Sequence, residues 1–225
     1  MNSNSWAALI PAYNAAAMIS SVVKGVSTFL PTERILVVDD GSSDGTAEAV
    51  KETGACLLSR GENGGKGLAL RDGFKRLLDW EPEWIICLDA DGQHDPAAIP
   101  GFRKAAESGK FDLIVGNRIG NIQGMPFIRR FSNRFSSYLV SLRTGMRLPD
   151  VQCGYRAVRT EVLRRMHLKS RQYEIEAEMI LQAWRLHCRI GWVPIPTVYQ
   201  GEPSHIKKFP ETIRFLKLLG RSFYE

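Results

Sequence analysis

The order of apolar runs in this chain predicts an α/β protein with a doubly wound, mostly parallel central sheet flanked by helices. Three observations carry that expectation. Runs at 7–10, 35–38 and 84–88 lack polar alternation, as strands covered on both faces do. Helical spacing follows each of them, the pattern of repeated βα units. Each run also stops at a polar cluster: Pro11-Ala12-Tyr13-Asn14, Asp39-Asp40 and Asp89-Ala90-Asp91. Ligands of such sheets bind outside the carboxyl ends of the strands, so the three clusters should converge on one edge.

The elements follow in order. A strand over 7–10 ends at Pro11 and leads to a helix over 15–29. The strand at 35–38 gives way to a Gly/Ser-rich turn, and Ser43 or Asp44 can cap a helix over 46–53. A short strand at 55–58 precedes a helix over 67–80 whose apolar positions are Leu70, Phe74, Leu77 and Leu78. The strand at 84–88 ends at the acidic cluster, Asp95 can cap a helix over 96–108, and 112–115 is again a strand. After Gly116 the pattern changes. Phe127, Phe131, Phe135 and Leu139 recur every four residues, a stripe expected to pack into the core or, with the basic C-terminal helix, to form an interfacial surface for an anionic bilayer, with Arg130 and Arg134 on another face. Helices over 173–186 and 210–223 enclose a Pro-punctuated strand over 190–198. Neither a repeat nor a low-complexity linker divides the chain, so one domain over 1–225 is expected, with halves 1–116 and 117–225.

Composition narrows the classes. The chain has 225 residues, 44% hydrophobic and 24% charged, which is ordinary for a globular protein with a substantial core. No apolar run approaches the roughly 20 residues that span a bilayer. Residues 1–6 lack the positive start of a secretory signal, so residence on the cytoplasmic side is expected. The four cysteines, Cys56, Cys87, Cys153 and Cys188, form no CxxC pair and read as reduced thiols. Arg118 to Arg171 holds twelve Lys or Arg against two carboxylates, Asp150 and Glu161. Such a block favours an anionic partner: a phosphate, a nucleic acid or an acidic membrane face.

The acidic cluster carries the most chemistry. Asp89, Asp91 and Asp95 place three carboxylates within seven residues. Like charges so close need a cation or strong hydrogen bonds. Oxygen ligands of this kind suit Mg²⁺ or Mn²⁺, which keep waters and accept substrate phosphates. Asp95 is better read as a helix cap, which leaves Asp89 and Asp91 for the cation. The loop Gly61-Glu62-Asn63-Gly64-Gly65-Lys66-Gly67 is followed by Leu68, so it lacks the phosphate-loop pattern of an NTPase. Lys66 remains a candidate phosphate contact.

Four segments in register resemble family 2 glycosyltransferases of the GT-A fold. They are Ile10-Pro11-Ala12-Tyr13-Asn14, Val37 through Thr46, Asn63-Gly64-Gly65-Lys66-Gly67, and Leu88 through His94. Gly116-Asn117-Arg118, Met125-Pro126 through Asn133, Asp150 through Arg156 and Ser204-His205 resemble the polyprenyl-phosphate branch, the dolichol-phosphate mannose synthase-like enzymes. The resemblance implies a nucleotide-sugar site lined by Pro11, Ala12, Tyr13, Asn14, Val38, Asp40, Lys66, Asp89, Ala90, Asp91 and His205. It implies a divalent cation, Mg²⁺ or Mn²⁺, on Asp89, Asp91 and Gln93, and an acceptor phosphate on Arg118, Arg129 and Asn133. Asp89, Asp91, Arg118 and Arg129 are then the catalytic candidates, and Asp150 has no assigned role. The reaction implied is inverting transfer of a hexose from a UDP- or GDP-sugar to a lipid phosphate. The enzyme would be peripheral on the cytoplasmic membrane face, where a membrane-embedded partner can meet it.

Three other readings stand beside it. A family 2 enzyme can instead use a saccharide or other hydroxyl acceptor, which requires a carboxylate base. A basic anion- or nucleic-acid-binding module would explain the Arg-rich block, but carboxylates at such a site repel phosphate, and no nucleic-acid partner is expected. Nucleotidyl transfer also uses paired metal carboxylates, yet leaves the second half of the chain unexplained.

Overall fold

The computed structural model describes residues 5–118, 127–196 and 208–222, with the side chains at 127–130 and 208–210 left outside that description. The apolar runs fold as strands: β1 (Trp6–Ala12), β2 (Ile35–Asp39), β3 (Cys56–Ser59), β4 (Trp84–Cys87), β5 (Leu113–Asn117), β6 (Arg156–Arg159) and β7 (Ile190–Pro194). Between and after them come helices α1 (Ala16–Ser27), α2 (Thr46–Thr53), α3 (Lys66–Leu78), α4 (Ile99–Glu107), α5 (Phe127–Thr144), α6 (Thr160–Arg165), α7 (Ile175–Arg185) and α8 (Lys208–Arg221). All seven strands join one sheet in the order β3-β2-β1-β4-β6-β5-β7, so both halves of the chain contribute to it.

β1 and β2 are buried almost throughout because neither sheet face is open to water. β1 pairs in parallel with β2 on one side and β4 on the other. Trp6 stands opposite Trp84 in that second register, and their fully buried rings stack at 5.7 Å.

Sequence periodicity missed β6 and α6. β6 is only Arg-Ala-Val-Arg, and it runs antiparallel to both β4 and β5, making the sheet mixed. Its first residue, Arg156, is 2% exposed, an uncommon place for a guanidinium. The group is tolerated because it donates to the carbonyls of Val151, Cys153 and Glu176. Arg156 thereby fastens the start of α7 to the middle of the sheet.

One cap matches its sequence signal, and α2 begins differently: its N-cap is Gly45, at a φ of 85°, and neither Ser43 nor Asp44 holds that position. Asp95 accepts the Ala97 amide at 2.9 Å and opens a short 3-10 turn that runs into α4. Asp44 accepts from Thr46 N at 3.1 Å and from Ala16 N at 3.0 Å, serving the first turns of both α1 and α2.

The core expectation for the aromatic stripe of α5 needs correction. Phe131 and Phe135 are 65% and 46% exposed and stack on each other, and Leu139 is only partly buried. α5 turns Ser136, Ser137, Val140 and Thr144 inward instead. The reason is hydrogen bonding: Ser137 Oγ accepts from Val151 N, Ser136 Oγ accepts from Gln152 Nε2, and Thr144 Oγ1 donates to Val140 O. The polar face is consumed by the 150–152 loop, and the apolar face is left outward. Arg143 is not the solvated residue its helical position suggests, since it stacks on Trp184 at 4.7 Å and donates to Ser222 Oγ.

Candidate active site

β1, β2 and β4 end side by side, and their polar extensions are stitched together. Asp40 N donates to Ala12 O at 2.8 Å, Asn14 N donates to Ser42 Oγ, and Asn14 Oδ1 accepts from Ser43 N. Asn14 adopts a left-handed φ of 47°, which Asn tolerates better than most residues. Tyr13 is left 49% exposed at this edge. Val38 is fully buried in β2, so only its main chain can face a ligand.

Asp40 holds the glycine loop. It is 3% exposed, and its oxygens accept from Arg60 Nη1 at 2.6 Å, Gly64 N at 3.1 Å and Gly65 N at 2.8 Å. A carboxylate engaged by a guanidinium and two amides is a fixed structural anchor. The loop it fixes delivers Lys66, the first residue of α3. At the next position, a Cβ on Gly67 would come within 2.7 Å of Ser170 O and the Arg171 carbonyl carbon. The start of α3 is therefore seated against the segment before α7.

Lys66 Nζ lies between two carboxylates, 2.5 Å from Asp89 Oδ1 and 2.7 Å from Glu176 Oε1. Burial by itself would depress the ammonium, but Asp89 and Glu176 outweigh it and hold Lys66 above the usual lysine range. For Asp89, burial works upward and is overcome chiefly by Lys66, so its carboxyl sits below the usual range. Gly154 makes room for this contact: a Cβ there would stand 2.8 Å from both Asp89 oxygens and from Lys66 Nζ.

The turn after β4 is shaped by its own polar groups. Asp91 Oδ1 accepts from Gln93 N at 3.0 Å, Gly92 takes a φ of 71°, and His94 Nδ1 accepts from Asp89 N at 3.0 Å. That last bond places the ring proton on Nε2, the tautomer whose other nitrogen is an acceptor. His94 is 4% exposed and its ring lies tilted against Tyr155, which stacks on Phe102. Burial pushes the imidazole down to about 4, opposed by Asp89, so the ring is neutral near pH 7.

The acceptor candidates lie beyond β5. Arg118 Nε and Nη2 donate to Asp150 Oδ2 and Oδ1 at 2.7 and 2.8 Å, and Asp150 is 3% exposed. β4 and β5 flank β6, where Cys87 and Val115 both stand opposite Arg156, so the Asp89 turn and Arg118 leave the sheet at the same edge. Asn133 is half-buried on α5, one turn before Ser136 and Ser137. The side chain of Arg129, and Met125-Pro126 and Ser204-His205, lie outside the described residues.

The structure thus brings together Lys66, Asp89, Asp91, Gln93 and Arg118. Sequence reading passed over Glu176, His94 and the pairing of Asp150. Glu176 carried one signal, an acid flanked by Ile175, Ala177, Met179 and Ile180 in a helix buried on most sides.

The model of glycosyl transferase family 2 matches residues 7–166. The chain belongs to that family. Among relatives, this glycosyltransferase is 30% identical over 201 residues to an undecaprenyl-phosphate mannosyltransferase of Micrococcus luteus, with 84% of this chain and 82% of that protein covered. It is 29% identical over 213 residues to the UDP-N-acetylglucosamine–dolichyl-phosphate N-acetylglucosaminyltransferase of Methanococcus voltae, covering 85% and 84%. It is 30% identical over 214 residues to the polyprenol monophosphomannose synthase of Mycolicibacterium smegmatis, covering 89% and 79%. The GT-A architecture is shared with glucosyl-3-phosphoglycerate synthase of Mycobacterium tuberculosis in complex with UDP, at a TM-score of 0.77, 18% identity, and coverage of 97% of this chain and 79% of that one. No helix among the described residues is long and apolar enough to cross a membrane.

Proposed function

We propose that this glycosyltransferase moves a hexose, with inversion, from a UDP- or GDP-sugar to a polyprenyl phosphate, in a reaction that needs Mg²⁺ or Mn²⁺. The observation that carries the reading is the juxtaposition of an acidic turn and an arginine at one edge of the sheet. Asp89 and Asp91 stand on the turn after β4, and Arg118 stands just past β5, at the same edge of the sheet. The names of the relatives above point to the same acceptor class.

The donor set fits a hard cation. Asp89, Asp91 and Gln93 offer side-chain oxygens from a single turn, and no group of three His, Cys, Asp or Glu gathers among the described residues. One or two carboxylates supplemented by waters and substrate phosphates is how Mg²⁺ is held, in contrast to an all-protein cage. Such a cation supplies Lewis acidity toward the departing nucleoside diphosphate. Pro11, Ala12, Tyr13, Asn14 and the loop held by Asp40 line the nucleotide side, with His205 a further candidate there.

The new bond joins the anomeric carbon to an acceptor phosphate oxygen, and the bond to the donor diphosphate breaks on the opposite face. A phosphate acceptor is already ionised, so it needs holding in line more than it needs a base. Arg118 supplies that hold, together with Arg129 and Asn133. Asp150 is engaged by Arg118 through both oxygens, which suits an anchor better than the base a hydroxyl acceptor would require.

The exposed face of α5 supports peripheral attachment to the cytoplasmic leaflet. Phe131, Phe135, Tyr138 and Leu142 are all exposed there, with Arg134 beside them. Apolar side chains flanked by arginine suit an anionic bilayer interface.

Thermal unfolding with a panel of UDP- and GDP-sugars, with and without Mn²⁺, tests the donor. One nucleotide class should raise the melting temperature, and only with the metal present. Absence of stabilisation by every nucleotide sugar with every divalent cation would contradict the reading.

A further inference from the structure

Glu176 is an unusual group to find on α7. Its residue is 3% exposed, its Oε1 takes Lys66, and its Oε2 is a buried acceptor with no hydrogen-bond partner among the described residues. An unsatisfied buried carboxylate oxygen is costly and calls for an explanation. Its backbone is not free to adjust, because Arg156 Nη1 holds the Glu176 carbonyl at 2.8 Å. The backbone of Lys66 is equally constrained, by Asp40 on Gly65 and by the close seat of Gly67. Between these fixed points adjustment falls to the side chains, of which Lys66 is the longest and contacts both carboxylates.

The exposures of the three groups differ in a consistent direction. The Asp89 side chain is 27% exposed, Lys66 13% and Glu176 5%. Asp89 is the open end of the relay and Glu176 the closed end. A divalent cation entering from solvent meets Asp89 with one of its oxygens already bonded to an ammonium 2.5 Å away. An ammonium and a metal ion on one oxygen repel each other strongly in a partly buried site.

We propose that Glu176 is a positioning residue for Lys66: it holds the ammonium on the Asp89 oxygen in the free enzyme and receives it when a divalent cation takes that oxygen. The vacant acceptor Oε2 gives Lys66 a second bond to replace the one lost. Lys66 stays charged and buried throughout, so the site never carries an uncompensated carboxylate pair. The metal-free enzyme is thus closed by an internal cation, and metal affinity is set in part by a residue that touches no metal. The inference rests on the metal reading of Asp89.

Mn²⁺ titration of the full chain without nucleotide, reading free Mn²⁺ by electron paramagnetic resonance, tests it. Lys66→Met should bind Mn²⁺ about tenfold tighter than the unsubstituted protein, because the competitor is gone. Glu176→Gln should bind about tenfold more weakly, because Lys66 then has only Asp89. The double variant should match Lys66→Met within about twofold, since Glu176 acts through Lys66. Lys66→Gln, which keeps hydrogen bonds without charge, repeats the test if the methionine variant does not fold by circular dichroism.

Two outcomes overturn the inference while leaving the metal site intact. In one, Lys66→Met and Lys66→Gln bind Mn²⁺ no tighter than the unsubstituted protein. In the other, Glu176→Gln weakens binding equally with and without Lys66, so that Glu176 acts on the cation directly. Failure of the unsubstituted protein to bind Mn²⁺, even with UDP or GDP added, removes the metal reading and this inference together.

Discussion

Arg118 and Asp150 face each other edge to edge, with Nε–Oδ2 at 2.7 Å and Nη2–Oδ1 at 2.8 Å, and the acid is almost wholly buried. The pair links the end of β5 to the loop that α5 holds through Ser136 and Ser137. Removing one partner leaves the other desolvated, which in buried pairs costs about 3 kcal/mol. Asp150→Ala should therefore lower the urea midpoint by an amount equivalent to about 3 kcal/mol. A loss under about 1 kcal/mol would mean that water replaces the carboxylate, as at exposed pairs.

Asp91 should be separable from the fold, and Asp89 less cleanly, because its carboxylate pairs with Lys66. Asp91 is partly exposed and Asp89 is 27% exposed at its side chain, so Asp→Asn at either position removes charge without opening the core. Transfer activity should fall by about a hundredfold or more, the scale seen when a transition-state electrostatic contact is lost. Steady-state rates across a Mn²⁺ series, alongside melting curves, make the check. Full activity in either variant would move the cation elsewhere.

His94 gives a pH signature. Its folded value of about 4 lies below the unfolded value of about 6.5, so the unfolded chain binds the extra proton between those values. The contribution to stability is complete above about pH 6.5, declines as pH falls, and is gone below about pH 4, amounting to about 3 kcal/mol. Glu211 runs the other way. Burial lifts it to about 7, so its contribution is complete below about pH 4.5 and is lost as pH rises toward 7. Urea unfolding of His94→Asn in a Glu211→Gln background, from pH 4 to 7, isolates the first effect. Against Glu211→Gln alone, the His94→Asn variant should show the flatter dependence on pH. Equal slopes would mean that the imidazole titrates alike in the folded and unfolded chain.

The α5 stripe should matter to membranes and not to folding. Phe131→Ser with Phe135→Ser alters two exposed rings, so the melting temperature should move by no more than a surface substitution allows, about 0.5 kcal/mol for each. Co-sedimentation with vesicles rich in anionic lipid should drop severalfold. Unchanged co-sedimentation would assign the stripe to something other than a bilayer.

Much of this site was legible in residue order because strand ends announce themselves. An apolar run followed at once by Asp89-Ala90-Asp91 has few other readings, and the same logic located Asp39-Asp40 and Tyr13-Asn14. The helix at 46–53 and the Asp95 cap were equally plain, since capping is local chemistry. What stayed hidden was long-range. β6 carries two arginines in four residues, and only the three carbonyls around Arg156 make that segment a central strand. Glu176 lies far along the chain from Lys66, and no spacing rule joins them. For the stripe from Phe131 to Leu139, periodicity shows a face without showing whether it turns to the core or outward.

Metal-dependent transfer to a lipid phosphate is the reaction that the Asp89–Asp91 turn and Arg118 should support together. Radiolabelled UDP- and GDP-sugars offered with undecaprenyl phosphate, in Mn²⁺ and in excess EDTA, measure it directly. Label should reach the organic phase from one nucleotide class, and EDTA or Asp91→Asn should abolish it. Label passing instead to a soluble saccharide, or reaching the lipid undiminished in EDTA, would contradict metal-dependent transfer to the lipid.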